Sequence, residues 1–205
     1  MKLIEVFELV ENHSDLKPYV EKILKKYKKT NCSYLESLNH LAYLLYLYGQ
    51  KELAKKLLDI LLQIPFEGDY NSWTFVESSI VLLAYMEKQT ENQTENQVSI
   101  YQNLLLSPLD SGEESTRKIR RRVHQRFLNG DTLEQKLAKI EQASTFTSEI
   151  EWRLLYLADL LKLQLFSAES TLDEADIQSK IEEQIERLQS FIKEQGIVSL
   201  FPFKG

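Results

Sequence analysis

The sequence has few of the residues that interrupt or cross-link a fold. Its 205 residues include one cysteine, Cys32, four prolines and six glycines. A single cysteine excludes an internal disulfide and favours a reducing compartment. Runs of β-branched residues in strict alternation are missing, and the glycines fall between periodic apolar segments. The sequence therefore predicts an all-α protein without a sheet.

Segments typical of export or of a membrane span are also missing. The N-terminal stretch MKLIEVFELV is apolar, but Glu5 and Glu8 make it an amphipathic helix rather than a signal peptide. The apolar run around Leu154 to Phe166 contains Asp159 and Lys162 and is too short to cross a bilayer. These patterns predict a cytoplasmic protein that does not bind membranes.

Charge and composition limit the possible partners. Asp and Glu outnumber Lys and Arg by 31 to 25, which gives a net charge of −6. Such a field repels nucleic acid and anionic lipid, so the composition disfavours both as partners. The apolar fraction of 43% is ordinary for a folded protein. We expect a single domain over residues 1–205, with one core or a short row of stacked helices.

The sequence shows no constellation of catalytic or metal-binding residues. It contains no phosphate-binding glycine loop, no paired-histidine zinc motif and no serine elbow between a strand and a helix. Its histidines, His13, His40 and His124, are scattered over different predicted helices. We expect His40 to be a packing residue rather than a general base. The pattern therefore predicts a protein that is not an enzyme and holds neither a metal nor a cofactor.

Apolar periodicity predicts about ten helices, and the clearest signal is LNHLAYLLYLYGQKELAKKLLDILLQIP, residues 38–65. Apolar and small residues recur at the helical period on both sides of Gly49. A glycine inside one continuous helix would cost about 1 kcal/mol relative to alanine. At a left-handed C-cap the same residue reverses the chain. The segment therefore predicts two antiparallel helices joined at Gly49.

This segment resembles a tetratricopeptide repeat. Ala42 and Ala54 stand where that family has small residues for close helix packing, and Gly49 stands at its turn. The sequence departs from the family at Leu38 and Leu45, where a large aromatic residue and a tyrosine are usual. The resemblance implies antiparallel helical hairpins that stack with a right-handed twist.

A second, degraded copy follows the first. LLDILLQIP (57–65) aligns with IYQNLLLSP (100–108), with the prolines matched. The spacing exceeds the family period of about 34 residues, so an insertion is expected, and the duplicated TENQTENQ (90–97) is its natural place. The resemblance covers residues 33–108. Residues 109–205 are expected to continue the stack or to close it as a helical bundle.

The resemblance also implies a partner-binding face. Repeats of this family bind protein or peptide partners on the concave face formed by the first helix of each pair. Carried onto this sequence, that face comprises Glu36, Asn39, Tyr43, Tyr46 and, in the next helix, Glu77. Tyrosines suit recognition because they offer a large, stiff contact area with a polar tip. The alternative is that Tyr43 and Tyr46 pack beneath the N-terminal helices.

A row of cations is the other candidate surface. RKIRRRVHQR, residues 117–126, contains six Lys and Arg side chains. In one interpretation they pair with the acidic segment 173–186 around a core reached through Ile119, Val123 and Phe127. In the other they bind an acidic protein or phosphates, although nucleic acid is disfavoured because no aromatic platform is interleaved. The anion-binding residues would be Arg117, Arg120, Arg121, Arg122 and Arg126.

The sequence thus favours a non-enzymatic interaction or adaptor module, monomeric or homodimeric, that binds a protein or peptide. A small acidic immunity protein that neutralises a toxin is the alternative, because an acidic surface can block a basic toxin site. Anion or nucleic-acid binding through residues 117–126 is the second alternative. An adaptor predicts a groove lined by Asn39 and Tyr43. An immunity protein predicts an acidic patch that includes Glu151, Asp173, Glu174 and Asp176.

Overall fold

The computed structural model describes residues 32–63, 70–89, 100–106 and 124–196. Within these ranges the regular elements are helices and no strand occurs, which confirms the all-α class for this part of the chain. Residues 100–106 and 124–128 are helical, and Ser167–Glu169 form a 3-10 turn. The six α-helices with assigned bounds are α1 (Cys32–Leu47), α2 (Lys51–Leu62), α3 (Tyr70–Lys88), α4 (Asp131–Glu141), α5 (Phe146–Leu165) and α6 (Glu174–Gln195).

Several sequence predictions lie outside the described residues. They include the N-terminal amphipathic helix, the duplication at 90–97, both aligned prolines and four arginines of the cationic row. The total of about ten helices and the stacked arrangement therefore stay predictions. In the part of the chain that the structure describes, no helix is long and apolar enough to cross a membrane.

The chain divides into two compact units. The first includes, among the described residues, 32–63, 70–79 and 187–196, and the second includes 80–89, 100–106 and 124–186. The boundaries fall inside helices: α3 is divided after Ser79 and α6 after Glu186.

Gly49 ends α1, as the sequence predicts. Its φ is 88°, a left-handed value that glycine adopts without steric cost. The amide of Gly49 donates to the carbonyl oxygen of Tyr46 at 3.0 Å, and the amide of Gln50 donates to that of Leu45 at 2.8 Å. This pair of bonds is a Schellman motif, which satisfies the last carbonyls of the helix. Helices α1 and α2 pack against each other on either side of this turn.

Helix α1 is the buried helix of the first unit. The side chains of residues 38–47 are all buried, whereas α2 buries one face and leaves Lys51, Glu52, Lys55 and Lys56 in water. Ala42 and Ala54, the two small residues of the repeat resemblance, are buried, and so are the apolar residues Leu38, Leu41, Leu45, Leu58 and Leu61 of the two helices.

Helix α5 and the second half of α3 together supply most of the described core of the second unit. The sequence predicts a central buried helix from Glu149; the observed helix begins earlier, at Phe146, because the Thr145 side chain accepts the amide of Ser148 at 3.2 Å and caps it. Helix α4 packs on α5, and the Lys136–Asp159 ion pair joins the two.

Helix α6 begins two residues later than its apolar pattern predicts, at Glu174 rather than Leu172. Asp173 is the cap: its Oδ1 accepts the amides of Ala175 at 2.8 Å and Asp176 at 3.3 Å. The helix ends before Gly196, whose φ is 78°, in agreement with the sequence prediction.

Candidate binding cleft

Two of the predicted partner-binding residues of α1, Asn39 and Tyr43, bond to α3 and are closed to solvent. Asn39 is 2% exposed and Tyr43 is 1% exposed. Asn39 Nδ2 donates to Ser79 Oγ at 2.8 Å and to the Phe75 carbonyl oxygen at 3.3 Å. The Tyr43 hydroxyl donates to the Ser78 carbonyl oxygen at 2.8 Å. The structure thus brings both residues together with α3; the predicted alternative, packing beneath the N-terminal helices, concerns residues outside the described ranges.

The other members of this predicted face are divided between burial and partial exposure. Tyr46 is buried, with the Lys51 amine 5.8 Å from its ring centroid. Glu36 and Glu77 are half-buried, and Glu77 accepts the indole N–H of Trp73 at 3.1 Å. No groove lined by Asn39 and Tyr43 is therefore open among the described residues.

Of the five arginines in the cationic row, only Arg126 lies among the described residues. Arg126 Nε lies 3.5 Å from Asp131 Oδ2, and the two side chains are 54% and 49% exposed, so the pair contributes little to stability. Arg117, Arg120, Arg121 and Arg122 lie outside the described residues, and the row stays a prediction.

Phe127, which the row was predicted to place in the core, is buried. The Lys162 amine lies 4.1 Å from the centroid of its ring, where the aromatic face attracts a cation. The sequence did not single out Lys162 for this contact, because its partner comes from a distant part of the chain.

The described histidines pack against aromatic rings. The His40 ring meets Phe75 edge-on, with centroids 6.0 Å apart, and His40 is buried. His124 stacks on Phe127 at 6.1 Å and meets Phe166 edge-on at 5.3 Å. Among the described residues, no three His, Cys, Asp or Glu side chains form a group that could hold a metal ion.

An open cleft of about 230 Å³ lies in the second unit, between α3, residues 100–106 and the C-terminal end of α5. This volume exceeds the roughly 150 Å³ of an apolar cavity that accepts benzene. Most of the wall is apolar, from Val81, Ala84, Tyr85, Leu161, Leu165 and Ala168.

Hydrogen bonds hold the polar residues of the cleft in place. Gln102 Nε2 donates to the Leu165 carbonyl oxygen at 2.8 Å and thereby joins residues 100–106 to the end of α5. The Tyr101 hydroxyl donates to the Glu87 carboxylate of α3. The cleft therefore has walls fixed on three sides before anything binds.

Charges flank the cleft unevenly. Lys88, at the end of α3, lies in its wall. On the α5 side, the Gln164 amide donates to Gln178, and the Gln178 amide donates to the exposed Glu182 carboxylate at 2.7 Å. Glu169, also exposed, directly follows the wall residue Ala168. The α5–α6 side therefore carries two exposed acids, whereas on the α3 side Lys88 stands next to the Glu87 carboxylate that Tyr101 binds.

Two large apolar side chains are exposed on the helical segment 100–106, whose Tyr101 and Gln102 line the cleft. Ile100 is 56% exposed and Leu104 is 47% exposed, and their spacing puts them on one face of the helical segment. In the repeat alignment they correspond to Leu57 and Leu61 of α2, which are both 0% exposed. Positions that are core in the first copy are therefore surface in the second.

Residues 2–190 match the model of a family described as a family of unknown function, DUF6707. The chain belongs to the DUF6707 family. No curated protein and no solved structure matches it. The matched region of this DUF6707 chain contains every residue of the cleft.

The sequence alone did not reveal the cleft of this DUF6707 chain. The repeat alignment places Ile100 and Leu104 at core positions, and Tyr85 and Tyr101 look like ordinary packing residues. Their shared position depends on how α3, residues 100–106 and α5 pack. The only sequence signal is the replacement of the core residue Leu58 of the first copy by Tyr101 in the second.

Tyr156 is a buried ionisable group on α5. Burial raises the pKa of its hydroxyl above the ordinary value, and the negative charges of Glu183 and Asp159 raise that pKa further. The phenol is therefore a stable neutral packing residue rather than a proton donor near neutral pH.

Proposed function

We propose that the protein is a non-enzymatic helical interaction module that binds a partner protein at the cleft of its second unit. The apolar cleft, together with the exposed Ile100 and Leu104 on the helical segment that forms one of its walls, carries this proposal. Apolar surface gains roughly 25 cal/mol for each Å² removed from water. A contiguous exposed apolar patch is typical of an interaction site. A partner that covers both side chains and fills the cleft would gain from both.

We further propose that α1 and α2 form one tetratricopeptide-like repeat and that α3 begins the next. Two observations support this arrangement: the small residues Ala42 and Ala54 of the first repeat are buried, and α3 bonds to α1 through Asn39 and Tyr43. First helices of successive repeats lie side by side in that family. In this protein, however, the tyrosine face is closed, so the binding surface is assigned to the cleft.

The composition of the cleft supports binding rather than catalysis. Among the described residues that line it, there is no histidine and no carboxylate that could act as an acid or base. The Gln102 amide and the Tyr101 hydroxyl already have protein partners. What the walls offer a ligand is shape and apolar surface.

The immunity hypothesis is the second candidate, and the charge of residues 124–186 favours it. This segment contains thirteen Asp and Glu side chains against six Lys and Arg. Three of those bases, at positions 126, 136 and 153, are paired with acids of the same segment. The exposed acids, which would face a basic toxin, include Glu141, Glu169, Asp173, Glu174, Asp176, Glu182, Glu183 and Glu186.

The function is tested by isolating the tagged protein from its native host, identifying the protein that accompanies it and measuring the affinity of the purified pair. The double variant Ile100→Ser/Leu104→Ser should weaken binding by at least about tenfold, because the buried centre of an interface carries most of its energy. Leu137→Ser is the matched control, since Leu137 is an exposed leucine of α4 outside the cleft wall.

Equal affinities for the wild type and the double variant would overturn the proposal. A partner lost instead on replacement of Arg120 to Arg122 by glutamine would move the binding surface to the cationic row. Identification of the partner as a basic toxin would select the immunity function for the same cleft.

A further inference from the structure

We infer that the cleft accepts one aromatic or branched apolar side chain of the partner, and that the partner carries Lys or Arg next to this anchor, facing the α5–α6 side. This inference rests on the proposed function and specifies the chemistry of the partner. It follows from the size of the cleft, from the fixed position of its walls and from the charges at its edge.

The size of the cleft selects the anchor. A space of about 230 Å³ is larger than a benzene cavity and smaller than the roughly 300–1,000 Å³ of most small-molecule sites. One large apolar side chain fits it, whereas a nucleotide-sized cofactor would not. The apolar wall residues Val81 and Leu161 lie at the buried end, each 2% exposed, so that the anchor would be removed from water there.

Because the walls of the cleft are held by hydrogen bonds, binding of one anchoring side chain is favoured over a contact that requires the walls to rearrange. The Gln102 bond to Leu165 and the Tyr101 bond to Glu87 connect residues 100–106 to both neighbouring helices. A site that is formed before binding avoids part of the entropic cost of ordering side chains. The exposed Ile100 and Leu104 belong to the same helical segment and offer the partner further apolar surface outside the cleft.

The charges at the edge select the flanking residues. Glu182 is joined to the cleft wall by the hydrogen bonds through Gln178 and Gln164, and Glu169 follows Ala168 of the wall. Both carboxylates are exposed. Complementary charges at the rim of an interface steer association and select partners. A Lys or Arg beside the anchor would meet these acids, whereas an acidic flank would be repelled.

Labelled helical peptides test the inference directly on the full-length protein. The probe carries one tryptophan with lysines on both sides; one control has alanine in place of the tryptophan, and another has glutamates in place of the lysines. Fluorescence anisotropy should show that the probe binds at least about tenfold more tightly than either control. Its affinity should also fall as salt is raised, since exposed charges are screened.

Two variants of the protein locate the bound peptide. Ala168→Trp should abolish probe binding by filling the cleft from an exposed position, where a larger residue is tolerated by the fold. Glu169→Gln/Glu182→Gln should weaken the lysine probe and should not weaken the glutamate control, which has no lysine to meet these acids. Glu141→Gln, an exposed acid outside the cleft wall, is the matched control and should have no effect.

The remaining outcomes overturn the inference. They are equal binding of the lysine and glutamate peptides, no peptide binding at concentrations where the native partner saturates, and probe binding that persists in Ala168→Trp. Self-association that Ala168→Trp removes would identify a second copy as the occupant and would also overturn it. If one of these outcomes is found but the affinity for the native partner still depends on Ile100 and Leu104, the inference fails and the proposed function stands.

Discussion

At the scale of single residues, buried hydroxyl and amide groups determine how α1 meets α3. Tyr43, Asn39, Ser78 and Ser79 bond to one another in a site closed to solvent, and the Ser78 hydroxyl lies 3.2 Å from that of Tyr43. Because a buried polar group without a partner costs about 1–3 kcal/mol, each member holds the others in place.

Tyr43→Phe should therefore lower the free energy of unfolding by about 1–2 kcal/mol, because it removes the bond to the Ser78 carbonyl oxygen without removing the ring. Tyr48→Phe is the matched control, since Tyr48 is 45% exposed and should be neutral within about 0.5 kcal/mol. Urea denaturation measures both. Equal effects of the two substitutions would show that the buried hydroxyl contributes nothing specific.

Tyr156 gives a prediction about alkaline pH. Its pKa is raised in the fold by burial and by Glu183 and Asp159, so the folded state favours the neutral phenol. This stabilisation is fully present below the pKa of tyrosine in the unfolded chain, about 10. It is lost as the pH rises through the higher pKa of Tyr156 in the folded protein. From about pH 9 to about pH 11, the Tm of the wild type should fall further than that of Tyr156→Phe.

The same comparison controls for the other tyrosines, which both proteins share. If the two melting temperatures fall in parallel over this range, the buried phenol is not the group whose ionisation destabilises the fold.

At the scale of helices, glycines and caps determine where the elements end. Gly49, Gly130 and Gly196 all have positive φ, and each lies at the end of a helix or a turn. Gly49 and Gly196 could be predicted from sequence because the apolar period stops at each of them. The observed start of α5 lies three residues before the predicted one, and that of α6 lies two residues after it. The sequence pattern missed both because the capping roles of Thr145 and Asp173 depend on backbone geometry.

Gly130→Ala should destabilise the protein more than Gly49→Ala. Both require a left-handed alanine, which costs roughly 1–2 kcal/mol. A Cβ at Gly49 would meet nothing within 4 Å, whereas one at Gly130 would lie 3.2 Å from Leu172 Cδ1. Chemical denaturation of both variants measures the difference.

The variant Leu172→Ala separates the two contributions. In that background the cost of Gly130→Ala should fall to that of Gly49→Ala, since only the backbone strain remains. An unchanged excess cost would show that contact with Leu172 is not its cause.

At the scale of the whole molecule, the apolar periodicity of the sequence predicted where helices form better than it predicted which of their residues are exposed. The class of the fold and the buried face of α2 follow from periodicity and from Gly49. The partner-binding face could not be predicted from periodicity, because the exposure of Tyr43 depends on which other helix packs against it. The cleft could not be predicted for the same reason: its walls come from α3, residues 100–106 and α5, whose contacts are set by packing.

Binding at the cleft also predicts a change in stability. A ligand present at about 100 times its Kd stabilises a protein by about 2.7 kcal/mol. The purified partner should therefore raise the Tm of the wild type and of Leu137→Ser equally, and raise that of Ile100→Ser/Leu104→Ser by about half as much or less. Calorimetry of the three mixtures measures this, and equal shifts in all three would place the partner elsewhere.

The most direct measurement uses a photo-reactive amino acid at position 104 in the native host, with position 137 as the matched exposed site. We predict one defined adduct from position 104, none from position 137, and loss of that adduct in the Ala168→Trp background. The crosslinked partner peptide should contain an apolar anchor beside Lys or Arg. Adducts of equal yield at both positions, or an adduct that survives Ala168→Trp, would contradict the assignment of the cleft as the binding site.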